Sequence, residues 1–118
     1  MELPIVSFGD SSCKVLGFRF SKYLNNDRLA VLVALKWDDG FIENQTVSVN
    51  LVDESNQLLL KETQFFAKNW SEGEPLFNTL VASKWIVQTG WNGNSGFVRP
   101  PVCGVGPDAI ILPEMPLV

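Results

Sequence analysis

Apolar and polar residues alternate with a period of two over residues 14 to 24, KVLGFRFSKYL. Leu16, Phe18 and Phe20 fall on one side, and Val15, Gly17 and Arg19 on the other. Successive side chains of a strand point to opposite faces, so this period predicts a half-buried strand with Leu16, Phe18 and Phe20 toward the core. Leu24 to Asp27 form a cluster of turn formers whose side chains bond their own backbone, and the chain should reverse there. Residues 28 to 37, RLAVLVALKW, are apolar on both faces, as in a central strand covered from both sides. A helix is the rival reading, and the turn signals at both ends favour the strand. Asp38-Asp39-Gly40 then supplies a three-residue hairpin loop, with glycine where a left-handed residue is needed. That loop length pairs Val31 with Val47 and Leu29 with Val49, whereas a two-residue Asp-Gly turn would set those valines opposite Ala30 and Leu32. In the returning segment, FIENQTVSVNL, Val47, Val49 and Leu51 alternate with Thr46, Ser48 and Asn50, which predicts one wet face.

After a polar loop from Asp53 to Asn56, residues 58 to 67 read as a further strand, with Leu58, Leu60 and the pair Phe65-Phe66 as its apolar content. Ser71 followed by Glu74 has the spacing of a capping box, with Pro75 inside the first turn, where its missing donor costs nothing. Leu76, Phe77, Leu80, Val81 and Trp85 recur at three- and four-residue spacing, so a helix is expected over about 72 to 86, ending before Thr89-Gly90. TGWNGNSG is a flexible glycine-rich loop, and FVRPPVCGV is a short strand that its prolines should confine to a sheet edge. The last segment, GPDAIILPEMPLV, is apolar and broken by proline, and either lies across the core or docks on another chain. Together these elements predict an α+β fold: a single domain over 1–118, with an antiparallel sheet of four or five strands, one helix packed on one face, and residues 104–118 as an apolar tail.

The chain has 118 residues and 13.1 kDa, enough for one hydrophobic core and not for two. Nine Lys plus Arg against 13 Asp plus Glu leave a net charge of -4 and a pI near 4.6, which disfavours direct adhesion to nucleic acid or anionic membranes. The absence of histidine removes the commonest general acid-base group and the usual third member of Ser and Cys triads. No catalytic motif stands out, and the expectation is a non-enzymatic protein without metal or other cofactor. The amino terminus carries Glu2 and no apolar run of signal-peptide length, so a cytoplasmic location is expected. Cys13 and Cys103 lie 90 residues apart without a CxxC companion; two buried or half-buried free thiols are expected, with a disulfide between the first and last strands as the alternative.

Two stretches carry candidate binding chemistry. The loop Gly90 to Gly96 follows a helix instead of preceding one and lacks the Lys and Ser/Thr of a nucleotide loop. It is either a turn whose glycines supply positive φ, with Trp91 capping the core, or a recognition loop acting through Trp91, Asn92 and Asn94. Between Asp38 and Glu54 the acids Asp38, Asp39, Glu43, Asp53 and Glu54 occur with no base among them. Hairpin geometry gathers Asp38, Asp39 and Glu43 at one end of the sheet, either as a solvated tip or as an acidic patch that imitates phosphates in a basic groove. Arg28 and Arg99 are surface charges or anchors for a carboxylate.

Several ordered pieces carry a resemblance. They are YLNNDRLAV at 23 to 31, the hairpin Asp39-Gly40, TVSVNL at 46 to 51, Asn69-Trp70, Thr89-Gly90, and Ser95 to Val98 with Pro100. Over residues 14 to 103 they are similar to a domain-of-unknown-function family of small proteins carried by phages and conjugative elements. This chain departs from it in its longer acidic loop, its tail after Gly104, and Arg99 and Pro101 around the closing proline. The resemblance implies a mobile-element origin and no reaction. By analogy of origin and size, it implies a protein that occludes a host defence or nucleic-acid-processing complex, such as a CRISPR effector. Asp38, Asp39, Glu43, Trp91, Asn92, Asn94 and Arg99 are the expected contact residues. The alternative is a structural or accessory domain that forms a homodimer through its tail or an edge strand.

Overall fold

The computed structural model describes residues 2–113. Among them, strands β1 (Ile5–Phe8), β2 (Ser11–Lys22), β3 (Leu29–Trp37) and β4 (Ile42–Thr46) form one antiparallel sheet, in the order β1-β2-β3-β4. Strands β5 (Ser48–Val49), β6 (Phe65–Ala67), β7 (Ile86–Asn92) and β8 (Pro101–Val105) form a second, in the order β5-β6-β8-β7. A helical turn, α1 (Glu54–Gln57), precedes β6, and the helix α2 (Glu74–Ala82) precedes β7. The α+β class is as expected, but two four-stranded sheets replace the single sheet.

The division occurs at Val47. Its N–H donates to the Val31 carbonyl of β3 at 2.9 Å, and its own carbonyl accepts from Lys68 N–H, just past β6, at 2.9 Å. One residue is thereby bonded into both sheets, and the segment expected as one strand becomes β4 and β5. The three-residue loop is present, with Gly40 at φ +89 and Leu32 opposite Thr46. Beyond it, Val49 pairs with Phe66 instead of Leu29. Ser48, expected on a wet face, is buried. Its Oγ accepts the Val31 N–H at 2.9 Å and shares a 2.7 Å hydrogen bond with Tyr23 Oη, so the hydroxyl is fully used where the two sheets part.

In β2 the register slips between Val15 and Gly17, leaving Leu16 as an extra residue opposite β3. The slip reverses the alternation: Cys13 and Val15 face the core before it and Phe18 after it, while Leu16 stays half-buried. Strand β8 is interior, not an edge, because Pro101 is its first residue and the ladder toward β6 begins at Val102.

The pair Phe65-Phe66 splits across β6. Phe65 joins a core with Val6, Val15, Phe18, Val31, Val33, Leu35, Leu76, Leu80, Trp85, Ile86 and Cys103. Phe66 joins a smaller cluster with Leu51 and Val102 on the opposite face. The expected capping box is absent. Ser71–Gly73 is a 3-10 turn with Ser71 at φ +56, the helix cap is Gly73, and no side chain caps it. At the other end, Trp85 N–H bonds the Leu80 carbonyl at 2.9 Å and Lys84 N–H the Val81 carbonyl at 3.0 Å, with Lys84 at φ +61. This is a Schellman stop with lysine in the left-handed position. Trp85 is therefore in the core but past the helix, which ends at Ala82.

After β8 the chain turns at Pro107-Asp108 and returns to the first sheet. Phe18 N–H donates to the Ile110 carbonyl at 2.8 Å, and Leu112 N–H donates to the Phe18 carbonyl at 2.7 Å. Ile111 thus bridges Phe18 in parallel, and the described part of the tail lies along β2. What the sequence leads one to expect of residues 114–118 lies outside the described residues.

Candidate binding surfaces

The acidic residues gather at one end of the first sheet, where the β1–β2 and β3–β4 hairpins meet. Two of the three candidate carboxylates there have structural work. Asp39 Oδ1 accepts the Phe41 N–H at 2.9 Å and shapes the hairpin loop, and Glu43 Oε1 accepts the Trp37 indole N–H at 3.0 Å. Trp37 in turn meets Phe8, ring centroids 5.6 Å apart. Asp38 is exposed and, with Asp39, Ser11, Ser12 and Trp37, lines a depression of about 270 Å³. The acids are felt beneath the surface: the buried Cys13 thiol is pushed up, first by desolvation, then by Glu43 and Asp38.

The second candidate surface is the β7–β8 hairpin. The expected loop is partly strand: Thr89, Gly90, Trp91 and Asn92 belong to β7, which lies at the outer edge of its sheet. The register of β7 against β8 slips between Gln88 and Asn92, where Gly90 has φ +94. Trp91 does not cap the core. It is 67% exposed, and Asn92 beside it is exposed as well. Beyond β7, Ser95 and Val98 exchange two backbone hydrogen bonds of 3.0 Å around Gly96-Phe97. Gly96, at φ +60, supplies the positive angle that a two-residue hairpin turn requires at its first central position, and the turn presents Phe97 wholly to solvent. Arg99 follows, also exposed.

The base of this hairpin is firmly held. Asn56 of α1, buried, donates from Nδ2 to the Asn94 carbonyl at 2.9 Å and accepts the Asn94 N–H on Oδ1 at 2.9 Å. Asn94 therefore contributes its backbone, not its side chain, to the architecture. Gly93 is buried against the second cluster, where a Cβ would stand 2.6 Å from Phe66 Cε1 and 2.8 Å from Leu51 Cδ1. Among the glycines of this segment, Gly90 and Gly96 serve positive φ, whereas Gly93 serves close approach. Phe97 and Asn56 escaped the sequence reading. Gly96, as the first residue of a two-residue turn, is the hairpin signal that would have placed Phe97 at a tip; nothing local distinguishes Asn56 from any polar loop residue.

The structure brings Asp38, Asp39 and Glu43 together, and separately Trp91, Asn92, Asn94 and Arg99. It does not bring the two groups to one place. The acids flank the Trp37 end of β3. The hairpin packs through Gly93 on Leu51, just past β5, which joins the first sheet at Val31. Val31 and Trp37 stand roughly 20 Å apart along the strand, at about 3.3 Å per residue. Arg28, at the hairpin's end of β3, is half-buried, and its backbone N–H is taken by Asn26 Oδ1 at 3.2 Å.

Cys13 and Cys103 are both free and buried, so the alternative disulfide is absent. Burial pushes the Cys103 thiol up from 9.0 to about 12, far from the range in which a thiolate nucleophile forms. Among the described residues, no group of three or more Cys, Asp and Glu side chains is placed to hold a metal ion, and no helix is long and apolar enough to cross a membrane. No family model, curated protein or solved structure matches this chain.

Proposed function

We propose that this protein is a non-enzymatic binding module that docks on a host macromolecular complex and occludes it, in the manner of an anti-defence inhibitor carried by a mobile element. The observation that carries the reading is the pair of exposed aromatics, Trp91 and Phe97, on a hairpin whose base is fixed by Asn56 and Gly93. Leaving a tryptophan and a phenylalanine in water forgoes on the order of 2–3 kcal/mol of burial each, and a partner surface recovers it. Aromatic side chains held on a rigid base lose little entropy on binding, and they dominate the energetics of interfaces. The origin and the class of partner come from the family resemblance; the placement of the contact comes from the hairpin.

The acidic end ranks second as a contact surface, since Asp39 and Glu43 already hold the local structure and only Asp38 is unengaged by it. Capture of the host complex on immobilised protein tests the placement. Trp91→Ala with Phe97→Ala is expected to abolish capture, and Asp38→Lys to change only its salt dependence. Capture that survives loss of both aromatics and disappears with Asp38→Lys would reverse the assignment.

A further inference from the structure

Strand β1 pairs with β2 only from Ser11 to Lys14, and Pro4 then accepts the Val15 N–H at 2.9 Å. From Leu16 to Lys22, β2 would be an open edge carrying Phe18 and Phe20 if the tail did not cover it. The cover is a short parallel strap, Ile110 to Leu112, held by the two hydrogen bonds to Phe18. The acceptor is shaped for it: a Cβ on Gly17 would stand 2.7 Å from Leu112 Cγ and 3.1 Å from the Ile110 carbonyl oxygen.

The connection to the strap is a short exposed turn that could serve as a hinge. Gly106 N–H is pinned to the Trp85 carbonyl at 2.7 Å, which fixes the end of β8. Between it and Ile110, Pro107 and Asp108 are exposed, and one hydrogen bond, Ala109 N–H to Gly106 carbonyl at 3.3 Å, closes the turn. Ile111 is half exposed even when seated.

We propose that the β2 edge at Gly17–Phe18 is a strand-acceptor site and that its partner in trans is the Ile110–Leu112 strap of a second copy of this chain, giving an exchanged dimer. The occupant's identity is read from the structure itself, since the seated strap shows which backbone direction and which side chains the site accepts. Exchange preserves each of those contacts and alters only the hinge. The strap carries no charge, so two copies approach without repulsion at the site. Exchange competes with the effective concentration of the chain's own strap, on the order of millimolar for a short connection. The surface is separate from the Trp91 hairpin, and the proposal stands or falls independently of the function above.

Two full-length variants remove the competition from the chain's own strap. Gly17→Val blocks the acceptor while suiting a strand, so its strap is released. Leu112→Pro deletes the N–H that bonds Phe18, so its acceptor is vacated. Each alone is expected to run as a 13.1 kDa monomer in light scattering. An equimolar mixture at about 0.5 mM, below the competing effective concentration, is expected to form a dimer of one chain of each kind. Folded variants that stay monomeric when mixed overturn the proposal. Should either variant fail to fold, wild type decides: in an equal mixture of 13C-labelled and unlabelled chain at about 2 mM, intermolecular contacts between the Leu112 methyls and Gly17 support exchange. Contacts confined to single chains refute it.

Discussion

Asn56 ties α1 to the exposed hairpin with both ends of one amide, and no water is needed to satisfy either Asn94 group. Asn56→Ala removes both hydrogen bonds that the buried Asn56 side chain makes to the Asn94 backbone, each worth about 0.5–1.5 kcal/mol net. The expected outcome is a lower Tm together with faster hydrogen exchange at Asn94. At Lys84 the direction is opposite. A left-handed lysine is strained by about 1 kcal/mol where glycine is not, so Lys84→Gly is expected to raise the urea midpoint. Cys103 supplies a pH dependence. The unfolded chain releases this proton near 9.0 and the folded chain near 12, so the folded state holds a proton that the unfolded state has lost. Its stabilisation is complete below pH 9.0 and is lost as pH rises toward 12. Tyr23, pushed up by burial more than Ser48 pulls it down, acts in the same direction, as does Cys13. Urea titrations from about pH 8 to about pH 11 should show falling stability, and Cys103→Ala should make the fall shallower without removing it.

Among the elements, those set by a local period were legible in the sequence. The β3–β4 register follows from a three-residue loop ending in Gly40, and the apolar run from Ala30 to Leu35 is buried on both faces. Features that depend on distant partners were not legible. The slip at Leu16 reverses the alternation of β2 without any signal in the residues around it. Trp85 sits at helical spacing after Leu80 and Val81 although the helix has already stopped, because the stop uses a lysine where glycine would have announced it. Pro101 suggested an edge, yet a proline at the first position of a strand removes no ladder bond. For the candidate site, the sequence left Trp91 open between capping the core and standing on a recognition loop, and its 67% exposure excludes the first. The role of Gly93 was not legible, because it depends on Leu51 and Phe66 from elsewhere in the chain. Gly93→Ala overpacks that contact and is expected to destabilise the protein by about 1–3 kcal/mol, read as a lower denaturant midpoint with unchanged slope.

In the whole molecule, the two sheets share one core, and Val47 belongs to the hydrogen bonding of both. The described molecule is 42 Å along its longest axis, and it carries two unlike surfaces, acidic at the β1–β2 and β3–β4 hairpins and aromatic at the β7–β8 hairpin. Neither surface is needed to complete the core, which is why substitutions there should separate binding from stability. Trp91→Ala and Phe97→Ala are expected to leave Tm nearly unchanged, since surface substitutions away from packing are usually within about 0.5 kcal/mol. The most direct measurement is site-specific photo-crosslinking in the host cell, with the reactive side chain placed at position 97 in one chain and at position 38 in another. A protein adduct of defined mass at position 97, and none at 38, is the expected result. An adduct at 38 alone, or none at either position, would contradict the hairpin as the binding face.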